Sequence, residues 1–498
     1  MTGFTPPHPA RRAGPRPARP SSQRGAVAIT FTLMMLVMFG FIGMALDLAQ
    51  LYHRKTELQD LADGAALAAA RQLNGTAAGI TSAAPPPSTA AADASYRYDN
   101  ASVSWNAAAL QFSQSATAPE SDWVNASAAA LTPANLFYAR VDTGALDPDL
   151  GKVNTAFMGI LSSALASTST QARAIAGRSS INVLPLAICA LSATPAAARV
   201  NPGPPIITEL VEYGFRRGVA YDLMQLAFGS ATPQNFVIDP LDPVGALGSA
   251  ANMTAAEVGP FVCTGSMPLP RIAGTSITVS SPFPLAQLFD RLNSRFDQYP
   301  GNLCSPNGAP PDANIKSYVF NSGTPWMATA PSGQSATPFS SAGNLWTVAD
   351  PLPAPGSNTA GSYGPLWSYA RTVLFSAYSA GVAEPVSGYA TLATGSWSTL
   401  YKPGLPTATA YPASTPYQSI AGTHFLAPSA AHPGVRLRRV LNVALLSCPV
   451  PTGTAVTANV LAVGRFFMTV PATASTLHAE FGGVAPERTL SNAVELYQ

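Results

Sequence analysis

The side chains able to do chemistry are few and scattered. Four cysteines, Cys189, Cys263, Cys304 and Cys448, form the clearest set. No two are spaced as CxxC, which argues against a zinc or thioredoxin-type site. An even number, all far beyond a hydrophobic segment, reads as two disulfides with three connectivities open; four buried free thiols are the alternative. Cys189 and Cys448 each end an apolar, strand-like run, so Cys189–Cys448 is the preferred pair and Cys263–Cys304 the remaining one. Each bond would contribute roughly 2–4 kcal/mol by restricting the unfolded chain. The histidines are His8, His53, His424, His432 and His478, and none sits in HExxH or beside a second ligand at helical spacing. GxSxG, GxxxxGK[ST] and GxGxxG are all absent. Asp239 and Asp242 in NFVIDPLDPV could hold a cation, but their neighbouring prolines favour a turn. His478 and Glu480 in TLHAEF fall on one side of a strand and read as a solvated pair. Arg216-Arg217 and Arg436-Arg438-Arg439 read as solvated strand edges or interface contacts. The sequence therefore offers no catalytic, metal or cofactor set, and points away from an enzyme or a small-molecule substrate.

Composition points to a protein that works by contact. Charged residues are 10% of the chain, well under the roughly 25% of ordinary globular domains. The net charge of +2 is too balanced to imply a nucleic-acid partner. Forty-seven prolines favour turns and extended segments over a helical bundle. The 498 residues suffice for several domains of about 150 residues.

Position matters more than composition at the N-terminal end. Residues 1–24 hold five arginines and six prolines without an acid, and read as a disordered basic leader on the cytoplasmic side. Residues 25–46 then run 22 positions without a charge. A helix of that length rises about 33 Å, enough to cross a hydrocarbon core of roughly 30 Å. Lys and Arg favour the N-terminal flank, which places that side in the cytoplasm and the remainder across the membrane, in the periplasm if the membrane is a bacterial inner membrane. A cleaved secretory signal is the competitor, with Gly43-Met44-Ala45 as its cleavage site. Its apolar core would usually be about 7–15 residues, shorter than this run. Moreover, the helical pattern continues: Leu51, Leu58, Leu61, Ala65, Ala68 and Gln72 trace an apolar face, and Leu73-Asn74-Gly75 marks the end. Gly40, Gly43 and Asp47 lie on a single stripe, where small residues would let another helix approach closely. Asp47 is read either as a hydrated boundary residue or as a contact to a partner membrane subunit.

The same stretch carries a family resemblance. Arg24-Gly25-Ala26-Val27-Ala28, the apolar run, Ala45-Leu46-Asp47-Leu48-Ala49, Tyr52, Leu58-Gln59, Ala62-Asp63 and Ala65-Ala66-Leu67-Ala68 resemble the N-terminal module of the TadE/TadG-like proteins of tight-adherence (Flp-type) pilus assembly. Leu61 and Gly64 replace two of the alanines usual in that pattern. Members cut by a prepilin peptidase carry Glu five residues after the cleaved Gly; here that position is Thr30, so the resemblance implies the unprocessed, TadG-like branch. Some such proteins add a von Willebrand factor A domain. The nearest match to its DxSxS site, Asp93-Ala94-Ser95-Tyr96-Arg97, lacks the second Ser. The resemblance implies an accessory protein that meets other pilus-assembly membrane proteins; the alternatives are a pilin-like subunit cut near Gly25 and incorporated in the fibre, and a membrane-tethered periplasmic enzyme.

The whole chain is expected to be α+β: a long transmembrane and amphipathic helix (25–75), a first periplasmic domain (76–178) opening on a Pro/Ala/Ser/Thr linker, and a larger β-rich unit (181–498). At the end of the first periplasmic domain LFYARVDTG and STSTQARAIAGRS read as strands and KVNTAFMGILSSAL as a short helix. INVLPLAICAL reads as a buried strand, and ITELVEYGFRRGVAYDLMQL mixes strand and helix signals. A helix is expected in 281–299 with Leu285, Leu288, Phe289, Leu292 and Phe296 on one face, and another in 364–380. Residues 305–360 read as long loops, and VLNVALLSCPV with AVTANVLAVGRFFMTVP as a hairpin.

Overall fold

One uninterrupted helix, α1 (Arg24–Gln72), carries the charge-free run and its extension. Its 49 residues span about 73 Å at about 1.5 Å per residue. The computed structural model describes residues 24–73, 77–83, 103, 105–133, 136–201, 203–226, 232–242, 244–245, 247–319, 338–341, 344–347, 363–401, 408–451 and 453–497. The basic leader up to residue 23, the Asp93–Arg97 segment and much of 305–360 lie outside these residues. Two units are distinguished: one takes the described residues of 1–65, 87–109 and 141–174, the other those of 66–86, 110–140 and 175–498.

Further helices are short: α2 (Ala77–Ala83), α3 (Ala126–Leu131), α4 (Ala156–Leu161), α5 (Ala255–Thr264), α6 (Leu285–Asn293), α7 (Trp397–Leu400) and α8 (Glu487–Leu490). Strands follow in chain order as β1 (Leu110–Ser113), β2 (Val124–Asn125), β3 (Tyr138–Asp142), β4 (Lys152–Asn154), β5 (Ser167–Ser169) and β6 (Arg173–Ile181). Next come β7 (Leu186–Cys189), β8 (Ala197–Asn201), β9 (Ile207–Glu212), β10 (Phe215–Arg216), β11 (Ala220–Asp222), β12 (Asn235–Ile238) and β13 (Ser276–Ser280). The last are β14 (Pro338–Ser341), β15 (Asn344–Thr347), β16 (Val440–Leu446), β17 (Val456–Met468), β18 (His478–Val484) and β19 (Ser491–Tyr497). The α+β class, a long apolar helix followed by a β-rich body with a few helices, is the class read from the sequence.

In the first unit, Leu58 and Leu61 of α1 pack with Ala109, Leu146, Leu150 and Ala172. The buried line of α1 as a whole runs through Leu58, Ala62, Ala65, Ala69 and Leu73. Gln72, placed on the apolar face above, is exposed; at about 3.6 residues per turn the stripe has rotated past it.

In the second unit, β17 organises the largest sheet. It is 13 residues long, pairs with β16 along one edge, and on the other gives its first half to β13 and its second to β18. The order β17–β13–β12–β7–β16 returns to β17, so five strands close on themselves and leave no free edge. Strand β7 is apolar at every position because both its faces are covered. Leu186 and Ile188 join one core cluster, Ala187 and Cys189 the other. The expected hairpin is present as β16 and β17. So is the helix at 281–299: Leu285, Leu288 and Leu292 of α6 and Phe296 just beyond are buried, with Phe289 half-buried. A second sheet has the order β19–β6–β3–β1–β2. Strand β19 thus returns from the far end of the chain to pair with β6, so the strand at 173–181 is completed by 491–497.

Two expectations are corrected. Residues 364–380 are bends and one 3-10 turn, Phe375–Ala377, rather than a helix. The backbone N–H groups of Ser368, Tyr369 and Ala370 are spent on a side-chain carboxylate, and Trp367 has φ 55°. Neither is compatible with a continuous helix. Residues 207–226 form β9, β10 and β11 without a helix.

Cys189 is bonded to Cys448 and Cys263 to Cys304. The first bond links the ends of the parallel neighbours β7 and β16, whose last paired residues are Cys189 and Leu446. The second joins the end of α5 to the segment after α6. The two separations are 259 and 41 residues, and the longer loop loses more unfolded-state entropy, by roughly 1–2 kcal/mol. Cys189→Ala/Cys448→Ala therefore lowers the urea midpoint more than Cys263→Ala/Cys304→Ala does, as chemical unfolding followed by circular dichroism would measure.

Candidate functional site

The first unit places the predicted stripe of α1 against a segment of the same chain. From Val27 to Leu46 the large apolar side chains of α1 are exposed, apart from the half-buried Met35 and Met44. Burial then begins at Gly43 and Asp47, which lie four residues apart and so on one face. A Cβ at Gly43 would lie 2.5 Å from the ring of Phe157. The helix presents bare backbone there because Phe157 occupies the side-chain space. Asp47 is 1% exposed. Its Oδ2 accepts the backbone N–H groups of Phe157 at 3.0 Å and Met158 at 2.7 Å. These are first-turn amides of α4, which have no partner inside the helix. Thr155, before α4, makes no side-chain cap of its own. Asp47 supplies that cap from α1, 110 residues away.

Asp47, read above as a hydrated boundary residue or a partner contact, is enclosed, with its Oδ2 bound to two amides of the same chain. Gly40 has nothing within 4 Å of a Cβ and remains open. Above Asp47, His53 and Arg54 both lie near Glu57, at 3.4 and 3.5 Å. These residues and Gln50 line a small cleft with β4.

In the second unit several charged side chains read above as solvated are buried, Arg216, Arg217, Arg439 and Glu480, whereas Arg436 is exposed. Arg216 is fully buried, bonded to Glu209 at 2.6 Å and to the Leu400 carbonyl at 2.8 Å, with the Tyr401 ring beneath it. Arg217 is clamped by Glu212 at 2.6 and 3.0 Å and by Glu384 at 2.9 and 3.1 Å. Arg465 reaches Glu384 at 3.2 Å. Arg439 is fully buried, with the rings of Phe467 and Phe296 4.4 and 4.6 Å away. Its backbone N–H binds Asp312, and burial holds its guanidinium down to about 10. A cleft of about 490 Å³ is lined by Arg217, Glu384, Arg465, Arg436, Arg371 and Tyr369 among others.

Glu480 is the least legible of these groups. It is fully buried, and its two oxygens accept the backbone N–H groups of Ser368, Tyr369 and Ala370 at 2.6, 2.9 and 2.7 Å. Burial pushes it up to about 7 against the pull of those donors. His478 is held down by burial and pairs in register with Asp222 instead. His432 lies 2.6 Å from Asp297, which also accepts the Ser429 N–H at 2.6 Å. That arrangement closes a turn. Asp239 likewise accepts from Leu241, Asp242 and Ser249, and from the Asn252 amide, as the turn reading requires. Among the described residues no group of three or more His, Cys, Asp or Glu could hold a metal ion. No local signal marked Glu480: in TLHAEFGGV it shares its side of the strand with Thr476 and His478, which reads as solvated.

A family model for TadE/G-like Flp pilus-assembly proteins matches residues 25–72. The match coincides with α1 and includes Gly43 and Asp47. No curated protein and no solved structure matches the chain.

Two outcomes test this geometry. Asp47→Ala leaves two first-turn amides without their acceptor, at a cost of roughly 1–3 kcal/mol; the amides of Phe157 and Met158 lose hydrogen-exchange protection, whereas Gly40→Ala leaves them unchanged. For Glu480 the folded value, about 7, exceeds the ordinary 4.5. Its contribution is therefore complete below about 4.5 and is lost as pH rises through about 7, up to roughly 3 kcal/mol. Between those pH values the wild type loses stability relative to Glu480→Gln, which cannot ionise, in parallel urea titrations.

Proposed function

We propose that this chain is a membrane-anchored accessory protein of tight-adherence pilus assembly, held in the bacterial inner membrane by residues 25–46 and acting in the periplasm through protein contacts. The observation that carries the proposal is the TadE/G-like match over 25–72, which supports involvement in Flp pilus assembly and falls on the one helix among the described residues that is long and apolar enough to cross a membrane. The arginine excess before the helix supports a cytoplasmic N-terminus. Two disulfides fit an oxidising compartment.

The second unit supports action by contact. Its buried arginines and carboxylates are engaged with one another, with backbone groups and with aromatic rings, so they serve the fold. Other pilus-assembly membrane proteins are the partners this reading expects. The unprocessed form is favoured because Thr30, not Glu, stands five residues after Gly25.

Deleting the gene should abolish surface pili while leaving pilin synthesis intact. Full-length protein cross-linked in intact cells should then co-purify with the secretion ATPase, the inner-membrane platform or the outer-membrane secretin. Normal piliation without the gene would contradict the proposal. An intact mass short by residues 1–24 would favour the pilin-like alternative.

A further inference from the structure

Residues 153–172 carry no charged side chain. They form a hairpin whose arms are β4 and β5, paired in antiparallel register from Lys152↔Ser169 to Asn154↔Ser167. Its tip is α4 and the 3-10 turn Ser163–Leu165. The arm β4 faces the charged level of α1, beside Arg54 and Glu57. The tip meets α1 lower down, at Asp47 and Gly43. From Arg54 to Asp47 the helix descends about 10 Å at about 1.5 Å per residue. The hairpin therefore points along α1 toward the apolar run and ends level with its last turn.

What the tip presents at that level is apolar. Ile160 is 81% exposed, Leu161 70%, Leu165 49% and Phe157 43%. On α1, Phe39, Ile42 and Leu46, within four residues of Gly43, are also exposed, and Gly43 itself meets Phe157. The tip's backbone groups are largely satisfied internally: Gly159 N–H bonds Thr155 O, Ser162 bonds Met158 O and Ala166 bonds Ser163 O. A charge-free segment that keeps its own backbone hydrogen bonds can enter the boundary between headgroups and acyl chains. Lys152, half exposed at the root of the hairpin, stands where an anionic headgroup would lie.

We propose that the 155–166 tip is a second membrane contact, inserting Ile160 and Leu161 into the interfacial layer of the bilayer that α1 crosses. The occupant of this surface is lipid, because the surface continues the lipid-facing side of α1 and Asp47 and Gly43 fix its depth. The inference rests on the reading of α1 as a membrane anchor, and its test separates the two.

Full-length protein is reconstituted in nanodiscs of phosphatidylethanolamine and phosphatidylglycerol, with a spin label at Val37→Cys, Leu161→Cys or Asp149→Cys. All three are exposed positions, and the native cysteines are paired, so the label reports one site. The ratio of accessibility to oxygen over that to a water-soluble nickel chelate should be several-fold higher at position 161 than at 149, and higher still at 37. A label at 161 open to nickel, or shielded from both reagents, while 37 remains lipid-exposed overturns the inference alone. A label at 37 open to nickel overturns the anchor reading itself.

Discussion

A carboxylate directly after a long apolar run has to find hydrogen-bond donors or water. Asp47 finds it within its own chain, in two amide donors at the start of α4. That interaction fixes how the first unit is arranged. It fastens a segment more than a hundred residues away to one face of α1, and it requires Gly43 to be bare so that Phe157 can sit beside the helix. The stripe of small residue and acid is therefore satisfied internally, and Gly40 is the member of that stripe still open to another helix.

The second unit answers a different constraint. In a chain with 10% charged residues, most of a typical surface would have to be polar without charge. Several arginines are nonetheless drawn inside, where a guanidinium is costly unless its fork is matched. Arg216 and Arg217 are matched by glutamates across β9, and Arg439 by aromatic rings, the Asp312 carboxylate near its backbone and the Lys316 carbonyl. Glu480 is the converse case, a buried acid supported by the backbone N–H groups of a turn. These networks pin long loops to the closed sheet, as the disulfides do at its rim.

What could be read from the sequence follows the range of the forces involved. Helix α1, helix α6 and the β16–β17 hairpin were legible because their signal is local: an unbroken apolar run, a 3.6-residue stripe, two β-rich runs across a turn. The helix expected at 364–380 failed because its backbone donors are claimed by Glu480, over a hundred residues away. Arg439 looked solvated because the rings that enclose it lie far off in sequence; Glu209 and Glu212 stand near Arg216 and Arg217, but the distant Glu384 and Leu400 that complete their enclosure do not. Strand β19 was equally hidden, since its partner β6, Arg173–Ile181, lies far earlier in the chain. At the junction with α1, residue types marked Gly43 and Asp47 as special, but their partner lay in a segment read only as a short helix.

The central claim is that α1 is an uncut anchor carrying the remainder of the chain on the far side of the inner membrane. Protease treatment of intact spheroplasts, followed by mass spectrometry of membrane-retained peptides, tests it most directly. The account predicts that peptides beyond residue 73 are lost or clipped from outside, while the stretch from the N-terminus to about Leu46 stays with the membrane after alkaline carbonate washing. A protein released by carbonate, or one whose body is cut only after the spheroplasts are lysed, would contradict it.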